Sequence, residues 1–410
     1  MSRGPHDNTH GHDAHHPSTH DSNTHDHDTH NQGLHDQSLN TQNLLELTEL
    51  LRVICETPAP TFSEAARGEL VARLLRESGL EPQTDAVGNV TAEVPGGSGP
   101  RILIAAHLDT VFAADTDVRV VASGGRLAAP GIGDNSASLA VALFYLRALH
   151  RGGHPAHPRL TFAATVGEEG LGDLRGMRAL MKARVHDFDG VVALDGHLGA
   201  LINASVGSKR FEVTFTAKGG HSWGDFPSPS ATHALGEAVF TLAKLPLGEQ
   251  PRSSYNVGQV WGGTGVNAIA QTAGFNLDLR STDAGVLERL ARDALQRLRK
   301  AADKHGVRLE TRSVGDRPTA FVPNEGLVHA AQGALLDLGV RPRLAASSTD
   351  ANAAMAAGLP AIAFGVYRGG DAHRLSEWLE PASLAVGVAA LRRLLTRVNS
   401  LEPTGLHRAA

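Results

Sequence analysis

Five short segments of this chain carry residue types that can hold metal ions and move protons. The first, Ala106-His107-Leu108-Asp109-Thr110, follows a strongly apolar run, Ile102–Ala106. In extended chain, residues two apart point to the same side, so Asp109 can accept a hydrogen bond from the His107 ring. Such a carboxylate fixes the tautomer and raises the basicity of a metal-binding imidazole; alone, the pair is weak evidence. The second segment, Gly131-Ile132-Gly133-Asp134-Asn135-Ser136, sets Asp134 in a glycine-rich turn that feeds a helix. Read singly, that aspartate is better explained as a helix N-cap.

The third segment, Thr165-Val166-Gly167-Glu168-Glu169-Gly170, ends an apolar strand with two adjacent glutamates. Buried acids are costly without partners, and at a strand end the two side chains can diverge, one to a metal and one to a water. The fourth, Val191-Val192-Ala193-Leu194-Asp195-Gly196, leaves a lone acid at the end of a hydrophobic strand. The fifth, Gly369-Gly370-Asp371-Ala372-His373-Arg374 followed by Glu377-Trp378, lies far along the chain. A lone histidine in such a loop is more often a surface residue. Together, however, the five supply the ligands for two metal ions that share one bridging carboxylate.

The single cysteine, Cys55, excludes an intramolecular disulfide and thiolate zinc motifs. Any metal is therefore held by histidine and carboxylate. Zinc suits that mixed set, and cobalt and manganese fit nearly as well.

Strands alternating with helices must position these groups. We expect a helix from Leu44 that stops before Pro58, and one from Ser63 to Ser78 with Ser63 as N-cap. Strands are expected at Asn89–Val94 and Arg101–Ala106, a helix at Ser136–Leu149, then strands at Leu160–Val166 and Gly190–Leu194. This alternation predicts an α/β domain with a mostly parallel central sheet flanked by helices, and four of the motifs fall at strand ends, where such sheets place ligands. From Lys209 the rhythm changes to strand Arg210–Ala217, helix Ser230–Leu245, strands Ser254–Trp261 and Ala273–Arg280, helix Asp283–His305 and strand Val307–Ser313. That βαββαβ order is the signature of a ferredoxin-like unit. Alternation resumes with Glu325–Leu338 helical, Ala361–Gly365 extended and Pro381–Val398 helical. The expected organisation is a catalytic domain in two parts, 40–208 and 317–410, interrupted by an inserted lid or dimerisation domain at 209–316.

Residues 1–36 are rich in His, Asp, Asn, Thr and Ser with almost nothing apolar to bury, and are expected to be a disordered tail. The tail reads equally as a zinc- or nickel-buffering segment and as a solvated extension. A metal-storage or delivery protein built on it is the alternative of another class. Hydrophobic residues at 41% support a sizeable core, and a formal charge of -5 gives no electrostatic reason to expect nucleic acid or an anionic membrane. With no secretory h-region and no apolar run long enough to span a bilayer, the cytoplasm is the expected compartment.

From about Leu44 to about Val398 the motifs resemble, in order and spacing, the M20 family of metallopeptidases. Gly219-Gly220-His221-Ser222 and Ser348-Thr349-Asp350-Ala351-Asn352 are most similar to its peptidase T-like branch. The resemblance implies that His107 and Asp195 bind one metal, Glu169 and His373 the other, and Asp134 bridges them. It implies Glu168 as general base, Asp109 as the group that orients His107, and a homodimer in which His221 reaches the partner's reacting carbonyl. Asn267 and Arg280 match positions that contact substrate, although Asn267 also suits a turn and Arg280 could pair with Asp278 or Asp283. Family members commonly carry an acid where this chain has Asn135. The implied substrate is a short peptide cleaved by a di- or tripeptide aminopeptidase. An N-acyl-amino-acid deacylase or a carboxypeptidase would use the same metal centre.

Overall fold

The computed structural model describes residues 40–151 and 156–407; the expected histidine-rich tail lies outside them. An eight-stranded sheet runs in the spatial order Gln83–Thr84, Val90–Val94, Pro158–Thr165, Ser98–His107, Gly190–Leu194, Ala361–Phe364, Ala200–Ser205 and Arg343–Ser347. The four central strands, Pro158–Thr165 through Ala361–Phe364, are mutually parallel. Antiparallel pairing begins on either side, at Val90–Val94 and at Ala200–Ser205.

Parallel strands covered on both faces read as unbroken apolar runs. In Ser98–His107, Ile102, Ile104 and Ala106 point into one core layer, whereas Leu103 and Ala105 point into the other. Helices Thr41–Cys55, Ser138–His150, Glu325–Leu336 and Pro381–Asn399 bury their apolar sides in the first layer. Arg175–Arg184 and Ala351–Ala356 supply the second. Register aligns His107 with Thr165 and Ala105 with Ala193, so the carboxyl ends of three neighbouring strands lead together into His107, Glu168 and Asp195.

The first helix begins at Thr41, capped by the Asn40 side chain, which accepts from Asn43 N–H at 2.8 Å. Leu47, Leu51 and Ile54 then fall on its buried side. The second helix starts at Ala65 rather than at an Ser63 cap. Ser63 instead donates its N–H to Pro60 within a turn, and Glu64 precedes the helix without a side-chain cap. The helix expected from Ser136 starts at Ser138, behind a π-type turn, Ile132–Ala137, in which Asp134 leaves helical geometry.

Between Gly207 and Arg317 lies a separate antiparallel sheet in the order Ser253–Gly262, Thr272–Ser281, Gly207–Thr216, Arg308–Arg317. With helices Ala231–Leu242 and Ala284–His305 it makes the βαββαβ unit. Val213, Phe215, Phe275, Leu277 and Leu279 are buried beneath those helices. The opposite face carries Arg210, Glu212, Asn276, Asp278 and Arg312, which with Phe62 and Leu171 line a cavity of about 590 Å³. Among the described residues, no helix is long and apolar enough to cross a membrane.

Candidate metal centre

His107 is buried at the end of its strand, and its Nδ1 lies 3.0 Å from the main-chain oxygen of Asp109. The Asp109 carboxylate stands 3.6 Å away, so the main-chain carbonyl takes the ring N–H that was expected to go to the side chain. The effect on the tautomer is the same: a proton on Nδ1 leaves the Nε2 lone pair facing the cluster. Asp109 has other work. Its two oxygens accept the N–H groups of Glu168 at 2.9 Å and Glu169 at 3.0 Å, and the Thr61 hydroxyl at 2.8 Å. One buried aspartate thus fixes both the histidine segment and the glutamate pair.

Asp134 is presented by a turn with little room. A Cβ on Gly133 would lie 2.5 Å from the Tyr367 ring, and Gly131 has φ 75° with Thr110 2.8 Å from its would-be Cβ. Both positions therefore favour glycine. Glu377, buried, accepts the N–H groups of Gly131, Gly133 and Asp134 at 2.8–2.9 Å. Asn135 donates to the main-chain oxygen of Leu194 at 2.9 Å, tying the turn to the strand that ends in Asp195.

The Asp134 carboxylate faces a histidine on each side. Oδ1 is 3.0 Å from His107 Nε2, and Oδ2 is 3.1 Å from His373 Nε2. His373 Nε2 is also 2.9 Å from Glu169 Oε1. Ligand atoms gather in three groups, each within 4.8 Å: His107, Asp134 and Asp195; Asp134, Glu169 and His373; and His107, Glu168 and Glu169. The first two share Asp134. His107 Nε2 and Asp134 Oδ1 are buried without a hydrogen-bond partner. Orphaned ligand atoms among crowded carboxylates fit a pair of divalent cations better than a solvated or purely hydrogen-bonded cluster.

The electrostatics agree. Burial and the neighbouring Asp134 charge push Asp195 up to about 7. Burial drives Glu168 well above the ordinary carboxylate range against the pull of Arg317. Hydrogen bonds to Asp134 and Glu169 lift His373 to about 11. Burial alone would lower His107, but the Asp109 and Asp134 carboxylates hold it well above its usual range. These groups are arranged for more positive charge than the side chains provide.

Three expected site residues lie outside the cluster. His221 is exposed on a two-residue ribbon of the second sheet region, and its Nδ1 accepts the N–H groups of Trp223 and Gly224 at 3.2 Å. Exposed Asn267 accepts Ser222 N–H through its main chain. Arg280 pairs with Asp278 at 2.6 Å, one of the two partners open to it from sequence. Sequence reasoning missed Arg317, which reaches Glu168 Oε1 at 3.2 Å, and Asp350, whose carboxylate accepts the Thr165 hydroxyl at 2.5 Å. Asp350 stood within a quoted motif; Arg317 gave no signal, because an arginine beside Pro318 reads as a loop charge.

Residues 103–397 match the family model of peptidase family M20/M25/M40. The chain belongs to that family. A protein of Ajellomyces capsulatus named a probable carboxypeptidase is 25% identical over 285 residues, 62% of this chain and 64% of that protein. The match thus spans less than two thirds of that relative. Aminopeptidase PepT from Bacillus cereus superposes with a TM-score of 0.72 at 22% identity, covering 87% of this chain and 98% of its own. The Bacillus subtilis YXEP protein, described as a dinuclear metal binding peptidase of the M20 family, gives 0.63 at 18%, covering 86% and 98%. These structural likenesses are likenesses of fold, and they include the large sheet flanked by helices.

Proposed function

We propose that this M20 protein hydrolyses the amide bond of a short peptide, as a di- or tripeptide aminopeptidase, using two divalent ions. His107 and Asp195 would hold one ion, Glu169 and His373 the other, and Asp134 would be shared by both. Zinc is the first choice for this donor set. The observation that carries the reading is the Asp134 carboxylate, with one oxygen toward His107 and the other toward His373.

Ions in these positions would polarise the scissile carbonyl and lower the pKa of a water from 15.7 to about 7. Glu168 takes the water's proton and returns it to the leaving amine, a contribution of about 10²–10⁴-fold. His221 donates to the developing oxyanion of a second copy in a homodimer. Because its Nδ1 accepts two main-chain N–H groups, the neutral ring carries its proton on Nε2, which is the donor that role requires. Asn267 and Arg280 contact the substrate from the same unit, Arg280 exchanging Asp278 for a substrate carboxylate.

The relative named a carboxypeptidase favours carboxypeptidase activity as the second reading, and an N-acyl-amino-acid deacylase would use the same metal centre. A panel of free tripeptides, amino-blocked peptides, carboxyl-blocked peptides and N-acetyl amino acids separates them. Cleavage of free but not amino-blocked tripeptides supports the aminopeptidase. Cleavage of amino-blocked peptides or acetylated amino acids overturns it in favour of the second reading.

A further inference from the structure

The loop that carries Glu168 and Glu169 is held by the second sheet as well as by its own domain. Arg317, the last residue of strand Arg308–Arg317 and 4% exposed, places Nη1 3.2 Å from Glu168 Oε1 and 3.2 Å from Ser348 Oγ. Its Nη2 donates to the Glu168 main-chain oxygen. One residue earlier, Asp316 N–H donates to Asp173 Oδ1 at 2.9 Å, and the Asp316 carbonyl accepts from Arg178 at 2.8 Å. From the first strand of the same sheet, Arg210 donates to the Gly170 carbonyl and, at 3.0 Å, to Asp278. The segment Glu168–Asp173 is therefore gripped at its start, middle and end by the two strands through which the chain enters and leaves the second sheet.

We infer that Arg317 is a positioning residue for the general base: its guanidinium sets the Glu168 carboxylate in reacting orientation and transmits the stance of the inserted unit to it. The inference rests on the hydrolase reading above. A guanidinium suits the task because its planar fork can hold the carboxylate oxygen and the main-chain oxygen of one residue together. With Oε1 so held, Oε2 is the oxygen that takes the water's proton. Asp109 fixes the Glu168 main chain from its N–H, and Arg317 fixes it from its carbonyl. The two main-chain contacts leave the side chain free to turn, and it is the Nη1 contact to Oε1 that holds the carboxylate. Movement of the second sheet relative to the first would shift Arg317 and the base with it, so turnover depends on the unit that contacts substrate being in place.

The test compares wild type, Arg317→Met and Arg317→Lys as metal-loaded full-length proteins, reading kcat, KM and bound metal on a substrate the wild type cleaves. Misplacing a catalytic group costs about 10²-fold, so Arg317→Met is expected to lose about that in kcat with KM and metal content near wild type. Arg317→Lys, a single point charge that cannot hold both oxygens, is expected to recover part of the loss. A folded Arg317→Met enzyme with kcat within about 3-fold of wild type, or one that loses only KM, overturns the inference; the second result would make Arg317 a substrate contact. Loss of metal from Arg317→Met also overturns it, as a structural role. Should Arg317→Met be insoluble, Arg317→Lys decides: a kcat loss of about 10-fold or more at unchanged KM and metal content supports positioning, and a smaller loss overturns it. A wild type that binds metal but cleaves no amide overturns the hydrolase reading itself, an outcome no Arg317 variant can mimic.

Discussion

Glu377 and Asp134, 243 residues apart in the chain, meet where Glu377 Oε1 accepts the Asp134 main-chain N–H at 2.9 Å. With Gly131 and Gly133 donating to the same carboxylate, the late loop that bears His373 and the early turn that bears Asp134 become one piece. The Asp134 carboxylate and His373 are thereby held in register although they are far apart in the chain.

Replacing Glu377 by glutamine keeps the shape of the side chain but turns one acceptor into a donor that faces main-chain N–H groups. Losing such supporting contacts typically costs 10–100-fold in metal affinity. Glu377→Gln is expected to weaken binding of the metals by about that range, measured by competition with a chromophoric chelator. Affinity equal to wild type would mean that the turn holds its shape unaided.

Glu168→Ala separates the base from the ligands. Asp109 and the metal groups that share Asp134 remain in this variant, so metal content is expected to stay at wild-type level while kcat falls by about 10²–10⁴-fold. Parallel measurement of bound metal and turnover checks both halves. Loss of metal along with activity would make Glu168 a ligand.

If His221 serves the other copy of a dimer, two inactive variants complement each other. Mixing His221→Ala with Glu168→Ala under conditions shown to exchange subunits is expected to restore part of the activity, because heterodimers assemble one intact site. Exchange without any recovery would confine His221 to its own chain.

Cys55 sits fully buried in the core, and burial pushes its thiol up to about 12. The thiolate is the reactive form, so at pH 8 the native protein is expected to resist a thiol reagent that modifies it at once in denaturant. Rapid labelling of the native protein would contradict the packing around Pro130 and Val118, whose carbonyls face the sulfur.

Much of this architecture was legible in the sequence because its signals are local. The strand Gly190–Leu194 is an apolar run closed by an acid, and its observed ends are the expected ones. The second sheet announces itself through alternation, as in Phe275, Leu277 and Leu279. Strand Arg343–Ser347 escaped notice since, at the sheet edge, it is mostly exposed and lacks an apolar face. Helix Arg175–Arg184, rich in arginine with only Met177, Leu180 and Met181 to bury, was also missed. At the site, the five motifs converge as expected, but what holds them could not be read. The carboxylate of Asp109 supports the glutamate pair rather than bonding the His107 ring, and the contacts of Arg317 and Glu377 depend on long-range closure that no local pattern encodes.

The proposed chemistry requires two ions that share Asp134 to drive amide hydrolysis. Its most direct test is metal titration of the chelated, inactive protein, following cleavage of a substrate found in the panel against ions bound per chain, with residues 1–36 removed so that their histidines do not compete. Activity is expected to be abolished by chelation, to return with zinc, and to reach its plateau at two ions per chain. Full activity at one ion, or activity untouched by chelation, would contradict it.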